Sequence, residues 1–145
     1  MNRVVAAFTL MLGLLVPHMG FAAPGLNATV YRDPACGCCA SYADYLRKNG
    51  FKVDVVETAN MAAVKAKYGV PPQLSSCHTT IIDGYVVEGH VPVLAVKRLL
   101  AEKPSIKGIA LPGMPMGSPG MSGEKEAPFV IYEIMDGPAK VFSTE

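Results

Sequence analysis

The chain has almost no net charge and no motif that grips a phosphate, and these absences exclude several common classes of partner. Thirteen Lys and Arg stand against twelve Asp and Glu in 145 residues, a formal charge of +1. No basic stripe with interleaved aromatics marks a nucleic-acid surface, and neither a P-loop nor a G-x-G-x-x-G is present to cradle a nucleotide. The acidic residues are dispersed, without the paired carboxylates of glycoside hydrolysis, and no Ser-His-Asp signature supports acyl transfer. No internal repeat is visible. No apolar run reaches the roughly 20 residues needed to cross a bilayer.

The longest apolar run lies at the start. Met1-Asn2-Arg3 precedes Val4 to Val16, and small residues follow at Gly20, Ala22 and Ala23. A basic start, a short apolar stretch and small residues at the end are the pattern of a secretory signal peptide. Cutting after Ala22 leaves small residues where the peptidase reads, whereas cutting after Ala23 puts Pro24 on the wrong side of the scissile bond. The expectation is a signal peptide over 1–22 and one exported domain over 23–145, not membrane-spanning once cleaved. Cleavage removes Arg3 and no acid, which leaves the mature chain formally neutral.

A domain of that size builds a hydrophobic core without needing cross-links to fold, so the cysteines call for another explanation. There are four, Cys36, Cys38, Cys39 and Cys77, and three fall within four consecutive positions. Thiols so crowded supply at most one or two useful long-range bridges, and a vicinal Cys38–Cys39 bond is strained. The cluster reads as chemistry.

The periodicity gives an order of elements. Ala28 to Arg32 reads as a strand stopped by Asp33-Pro34. Cys39 to Asn49 carries Tyr42, Tyr45 and Leu46 at helical spacing and stops at Gly50. Phe51, Val53 and Val55 alternate with Lys52 and Asp54 as in a half-buried strand. Thr58 is then expected to cap a helix bearing Met61, Val64 and Tyr68 and closed by Gly69. Thr79 to Ile82 and Tyr85 to Glu88 flank Asp83-Gly84, a strong hairpin signal. Pro92 opens a helix with Val93, Val96, Leu99 and Leu100 on one face, and Pro104 ends it. The tail from Phe129 to Ser143, turning at Asp136-Gly137, is expected to add a β-hairpin to the sheet or cover its edge.

The predicted fold class is therefore α/β, a thioredoxin-like βαβαββα domain with an added C-terminal β-hairpin. Cys36-Gly37-Cys38-Cys39 falls between the first strand and the first helix, where such folds carry a redox motif. Helix amides and dipole there favour anionic sulfur. The loop before the third strand, which holds Cys77, runs beside that turn in this topology, so the fourth sulfur is expected to converge on the other three.

Four motifs in this order, Cys-Gly-Cys-Cys at 36–39, Ser-Cys-His-Thr at 76–79, Val-Glu-Gly-His-Val-Pro at 87–92 and Gly-Met-Pro-Met-Gly-Ser-Pro-Gly-Met at 113–121, resemble the CopG family of bacterial copper-resistance proteins. The resemblance spans roughly residues 28–142. It implies a periplasmic thioredoxin-like protein that handles copper, with Cys36, Cys38, Cys39 and Cys77 as ligands and His78, His90, Met114, Met116 and Met121 as further participants. Other periplasmic copper-handling proteins are the partners it implies. His78 stands where thioredoxins carry a cis-proline before the third strand, a departure that weakens the analogy to ordinary dithiol oxidoreductases.

The residues themselves support a soft metal. Thiolates and thioethers favour Cu(I), zinc or iron–sulfur chemistry. Zinc could be closed in by four cysteines, yet Cys-x-Cys-Cys is not the pair-and-pair spacing of zinc ribbons. Three crowded sulfurs are better suited to bridging several Cu(I) ions, and a multinuclear copper–thiolate site is the expectation. The Leu111–Met121 loop places Met114, Met116 and Met121 among Gly and Pro. They either fill gaps over the core or form a thioether lid on the site. His78 gains interest from its neighbour Cys77, while a lone histidine such as His90 is as readily a hydrogen-bonded structural residue as a ligand. Two functions stay open: a Cu(I)-binding protein that sequesters or passes on the metal, and an oxidoreductase acting on disulfides through Cys36-x-x-Cys39 or on copper.

Overall fold

The computed structural model describes residues 25–145; the signal-peptide reading of 1–22 lies outside them. Seven strands form one mixed sheet with three α-helices: β1 (Asn27–Arg32), α1 (Gly37–Lys48), β2 (Lys52–Glu57), α2 (Met61–Tyr68), β3 (Thr79–Ile82), β4 (Tyr85–Glu88), α3 (Val93–Glu102), β5 (Gly108–Ala110), β6 (Val130–Ile134) and β7 (Val141–Thr144), with a 3₁₀ turn over Pro72–Leu74. Their order across the sheet is β2-β1-β3-β4-β5-β6-β7. β1 runs parallel to β2 and β4 parallel to β5, while the remaining neighbours are antiparallel.

The sheet buries both faces, and strand alternation divides the core in two. Val30, Ile82, Val87, Ile109 and Ile131 face one cluster, which takes Tyr42, Ala43 and Leu46 from α1 and Val93, Val96 and Leu99 from α3. Their neighbours Ile81, Val86, Ala110, Tyr132 and Ile134 face a smaller cluster with Tyr68, Val70 and Leu74. One-residue steps between the clusters are what a period of two dictates.

Two local expectations need correction. Thr58 does not cap α2; Asn60 does, its side chain accepting from the Ala63 amide at 3.1 Å, while Thr58 accepts from the Asn60 amide. Both are good capping types two positions apart, and the helix starts beside the nearer one. β5 carries no sequence signal, because three residues pairing in parallel with β4 are too short for any periodicity. The Asp83-Gly84 turn, by contrast, has both central residues at positive φ, 49° and 81°, the geometry that matches two-residue hairpins to strand twist.

β6 and β7 pair antiparallel at one edge of the sheet. Phe129 and Glu145 exchange two backbone hydrogen bonds just beyond that pair, 2.9 and 3.0 Å. Between β5 and β6 lies a long loop that contains Met114, Met116 and Met121.

Candidate metal centre

Three of the four cysteines stand at the start of α1. Asp33 folds the chain after β1, its carboxylate accepting from the Ala35 amide at 2.8 Å and its carbonyl from the Cys36 amide at 3.0 Å. Cys36 is then the N-cap in extended conformation, and its side chain makes no capping bond. Cys38 lies within α1 with its sulfur 3.5 Å from that of Cys36. Cys39 is buried on the core side of the helix, with Tyr42 and Leu46.

Cys36 and Cys39 are joined in a disulfide, which changes the expectation of four thiolates: two of the four sulfurs are bonded to each other and two, on Cys38 and Cys77, are free thiols. The reason is geometric. One helical turn separates the pair, placing their Cα atoms 5.4 Å apart, inside the range a disulfide spans.

Cys77 comes from the segment before β3 and His90 from the segment after β4; the β3–β4 hairpin brings them together. The Cys77 sulfur is 3.1 Å from His90 Nε2 and 3.3 Å from His78 Nδ1. Both imidazoles are fully buried and meet edge to face, centroids 4.7 Å apart. The Tyr42 ring lies 4.5 Å from that of His78 and its hydroxyl donates to the Val91 carbonyl at 2.9 Å. Tyr42, one of the residues at helical spacing in α1, is the floor beneath the histidines.

The loop after β5 reaches the same spot through its backbone. The Pro119 carbonyl lies 2.7 Å from His90 Nδ1, and because a carbonyl only accepts, the proton sits on Nδ1 and the Nε2 lone pair faces Cys77. That is how a ligating histidine is oriented by an outer acceptor. Gly120 lets the loop come this close: a Cβ there would stand 2.8 Å from the Tyr42 amide nitrogen and 2.9 Å from the Cys38 carbonyl, and φ is +85°. Met114 and Met116 are about half exposed and Met121 is partly buried, so the first two do not fill gaps in the core.

The candidate ligand atoms of Cys36, Cys38, Cys39 and Cys77 lie within 4.8 Å of one another, and so do those of Cys77, His78 and His90. Cys77 belongs to both groups. The convergence of the fourth sulfur expected from the sequence is present, and His90, separated from Cys77 by a hairpin, joins it. His78 Nε2 is a buried polar atom without a partner. Such an atom is costly unless a ligand satisfies it.

The protonation states fit a metal site. Burial, with smaller effects from His90 and Lys65, holds His78 well below the usual imidazole range, and burial also lowers His90. Both are neutral at pH 7, the form that binds metal. Burial pushes the Cys77 thiol up to about 11, with the neighbouring Cys38 adding to the rise and the Ser76 hydroxyl opposing it. Cys77 is thus a thiol until a metal displaces its proton.

The lowered histidines make a stability prediction. The unfolded chain takes up protons near pH 6.5 that buried His78 and His90 refuse, so metal-free protein should lose stability as pH falls below about 6.5, through the depressed folded-state values. Melting temperature measured between about pH 7.5 and 5.5 checks this, and a flat profile would contradict neutral, buried imidazoles.

Comparison with known proteins agrees with this geometry. Residues 74–121 match a family profile described as "Protein of unknown function, DUF411", a span that holds Cys77, His78, His90 and the three loop methionines. No curated protein matches the chain. Two solved structures, described as forms 1 and 2 of copper resistance protein CopG, are each 42% identical to it with a TM-score of 0.77, and the match covers 83% of this chain and 98% of theirs. At that identity over nearly the whole length of both structures, the chain belongs to the CopG family of copper resistance proteins.

Proposed function

We propose that this protein is exported to the periplasm and sequesters or hands on Cu(I) in copper resistance, holding more than one ion between Cys36, Cys38, Cys39 and Cys77 with His78 and His90 as further donors. The observation that carries the reading is the convergence of four sulfurs and two neutral imidazoles, drawn from three separate segments, onto one spot. Soft sulfur with imidazole suits Cu(I), and the CopG structures are those of a copper resistance protein. Met114, Met116 and Met121 are assigned the part of a thioether lid for the site, and the exposure of the first two leaves their sulfurs free for it.

The strand order β2-β1-β3-β4 with α1 directly after β1 supports reading the first part of the chain as thioredoxin-like, with β6 and β7 as an added C-terminal hairpin and residues 23–145 as a single domain. The periplasmic location is read from the leader pattern; among the described residues no helix is long and apolar enough to cross a membrane. The partners are copper ions and periplasmic proteins that deliver or accept them. A disulfide oxidoreductase is not favoured, because Cys77 and two buried imidazoles form a donor set that dithiol exchange does not require.

Anaerobic Cu(I) titration of the reduced protein, with metal counted by elemental analysis, tests the reading. Two or more tightly held coppers per chain is the expected result. One per chain would remove the multinuclear site, and negligible tight binding would remove the copper function.

A further inference from the structure

Glu88 is the one carboxylate with no solvent exposure among the described residues, and the metal centre as described makes no use of it. It ends β4, two positions before His90, inside a motif whose histidine alone drew notice in the sequence. Its Oε1 pairs with the Lys65 ammonium from α2 and accepts from the Ser76 amide at 2.7 Å; its Oε2 accepts from the Thr79 hydroxyl at 2.6 Å. Lys65 also donates to that hydroxyl at 3.3 Å.

Stability is a poor explanation for this arrangement. Burying a carboxylate and an ammonium carries a desolvation cost that their attraction often fails to recover, and an apolar pair of similar volume is frequently neutral or stabilising in its place. What distinguishes the pair is where its bonds land. Ser76 and Thr79 bracket Cys77 and His78, a stretch in no helix or strand until Thr79 begins β3. Other ties in the same region run from the Gly113 amide to the Ser75 carbonyl at 3.1 Å and from the Gly89 amide to the His78 carbonyl at 3.0 Å. Ser76 Oγ bonds to the Gly113 carbonyl as well. Glu88 alone among these grips both flanks of the Cys77–His78 pair with one side chain.

We infer that Glu88, with Lys65 as its counter-charge, is a positioning residue for the metal centre: it clamps Ser76 and Thr79 so that the Cys77 sulfur and the His78 ring are held at fixed spacing facing His90. Its consequence for copper rests on the Cu(I) function proposed above, whereas the clamp itself does not.

The test uses Thr79→Val, which removes one bond of the clamp, and the double variant Lys65→Met/Glu88→Leu, which removes the clamp and leaves no orphaned charge. In copper-free protein with the Cys36–Cys39 disulfide intact, iodoacetamide alkylation of Cys77 and Cys38 is followed by peptide mapping. The Cys77-to-Cys38 rate ratio is expected to rise roughly tenfold in the double variant and less in Thr79→Val, with the double variant melting at or above wild type. In parallel, Cu(I) competition titration should show affinity lower by roughly tenfold. An unchanged alkylation ratio in either folded variant, or a ratio that rises only as melting temperature falls, would overturn the clamp. Failure of the wild type to bind Cu(I) would overturn the copper function, and the alkylation ratio would still decide the clamp.

Discussion

Cys77→Ser should weaken Cu(I) binding more than substitution of any other cysteine, by at least roughly a hundredfold, the upper end of what loss of a mere outer-sphere partner costs. The reason is its double membership. The Cys77 sulfur lies with those of Cys36, Cys38 and Cys39 and also with the ring nitrogens of His78 and His90, so its removal breaks both groups. Cys38→Ser breaks only the first, leaves Cys77, His78 and His90 together, and should reduce the number of coppers while some binding persists. Competition against a chromophoric Cu(I) chelator, run on both variants under anaerobic conditions, separates the two effects. Equal losses in affinity would mean that the histidine side of the site contributes nothing.

Reduction of the Cys36–Cys39 disulfide should raise copper capacity. A sulfur bonded to sulfur has no thiolate charge to offer, so the oxidised form presents two free thiols, Cys38 and Cys77, where the reduced form presents four. Capacity is expected to change without unfolding, because the bond spans three positions within one turn at the start of α1 and no strand pairing depends on it. Matched oxidised and reduced samples are loaded with Cu(I), freed of excess and analysed for metal, with circular dichroism as the control on folding. The same copper number in both would show that Cys36 and Cys39 stand outside the site.

Much of this arrangement was legible from the residues. Local chemistry announced α1 between Asp33-Pro34 and Gly50, and the Asp83-Gly84 turn announced the β3–β4 hairpin. That hairpin is what carries Cys77 and His90 together from thirteen positions apart. The illegible parts depend on contacts between distant segments. β5 exists because β4 and β6 flank it. The hydrogen bond from His90 Nδ1 to Pro119 ends on a main-chain oxygen, which no residue pattern reports. Nothing in the residues around Glu88 sets it apart from any charge at a strand end, and only the fold shows it turned inward to meet Lys65 from α2. The disulfide is legible only as one option: the C-x-x-C spacing of Cys36 and Cys39 permits a bond within one turn as readily as two free thiolates, and the spacing alone does not choose.

The buried floor formed by Tyr42, His78 and His90 has a consequence for traffic. Those three side chains and Cys39 have no exposed surface, while Cys36, Cys38 and Cys77 are only partly covered. The sulfurs therefore have a closed floor on the side of Tyr42, His78 and His90, and their exposed surface belongs to Cys36, Cys38 and Cys77. Under the proposed function, copper would come and go on the side of those partly exposed sulfurs, where a donor and an acceptor would take turns at the same doorway.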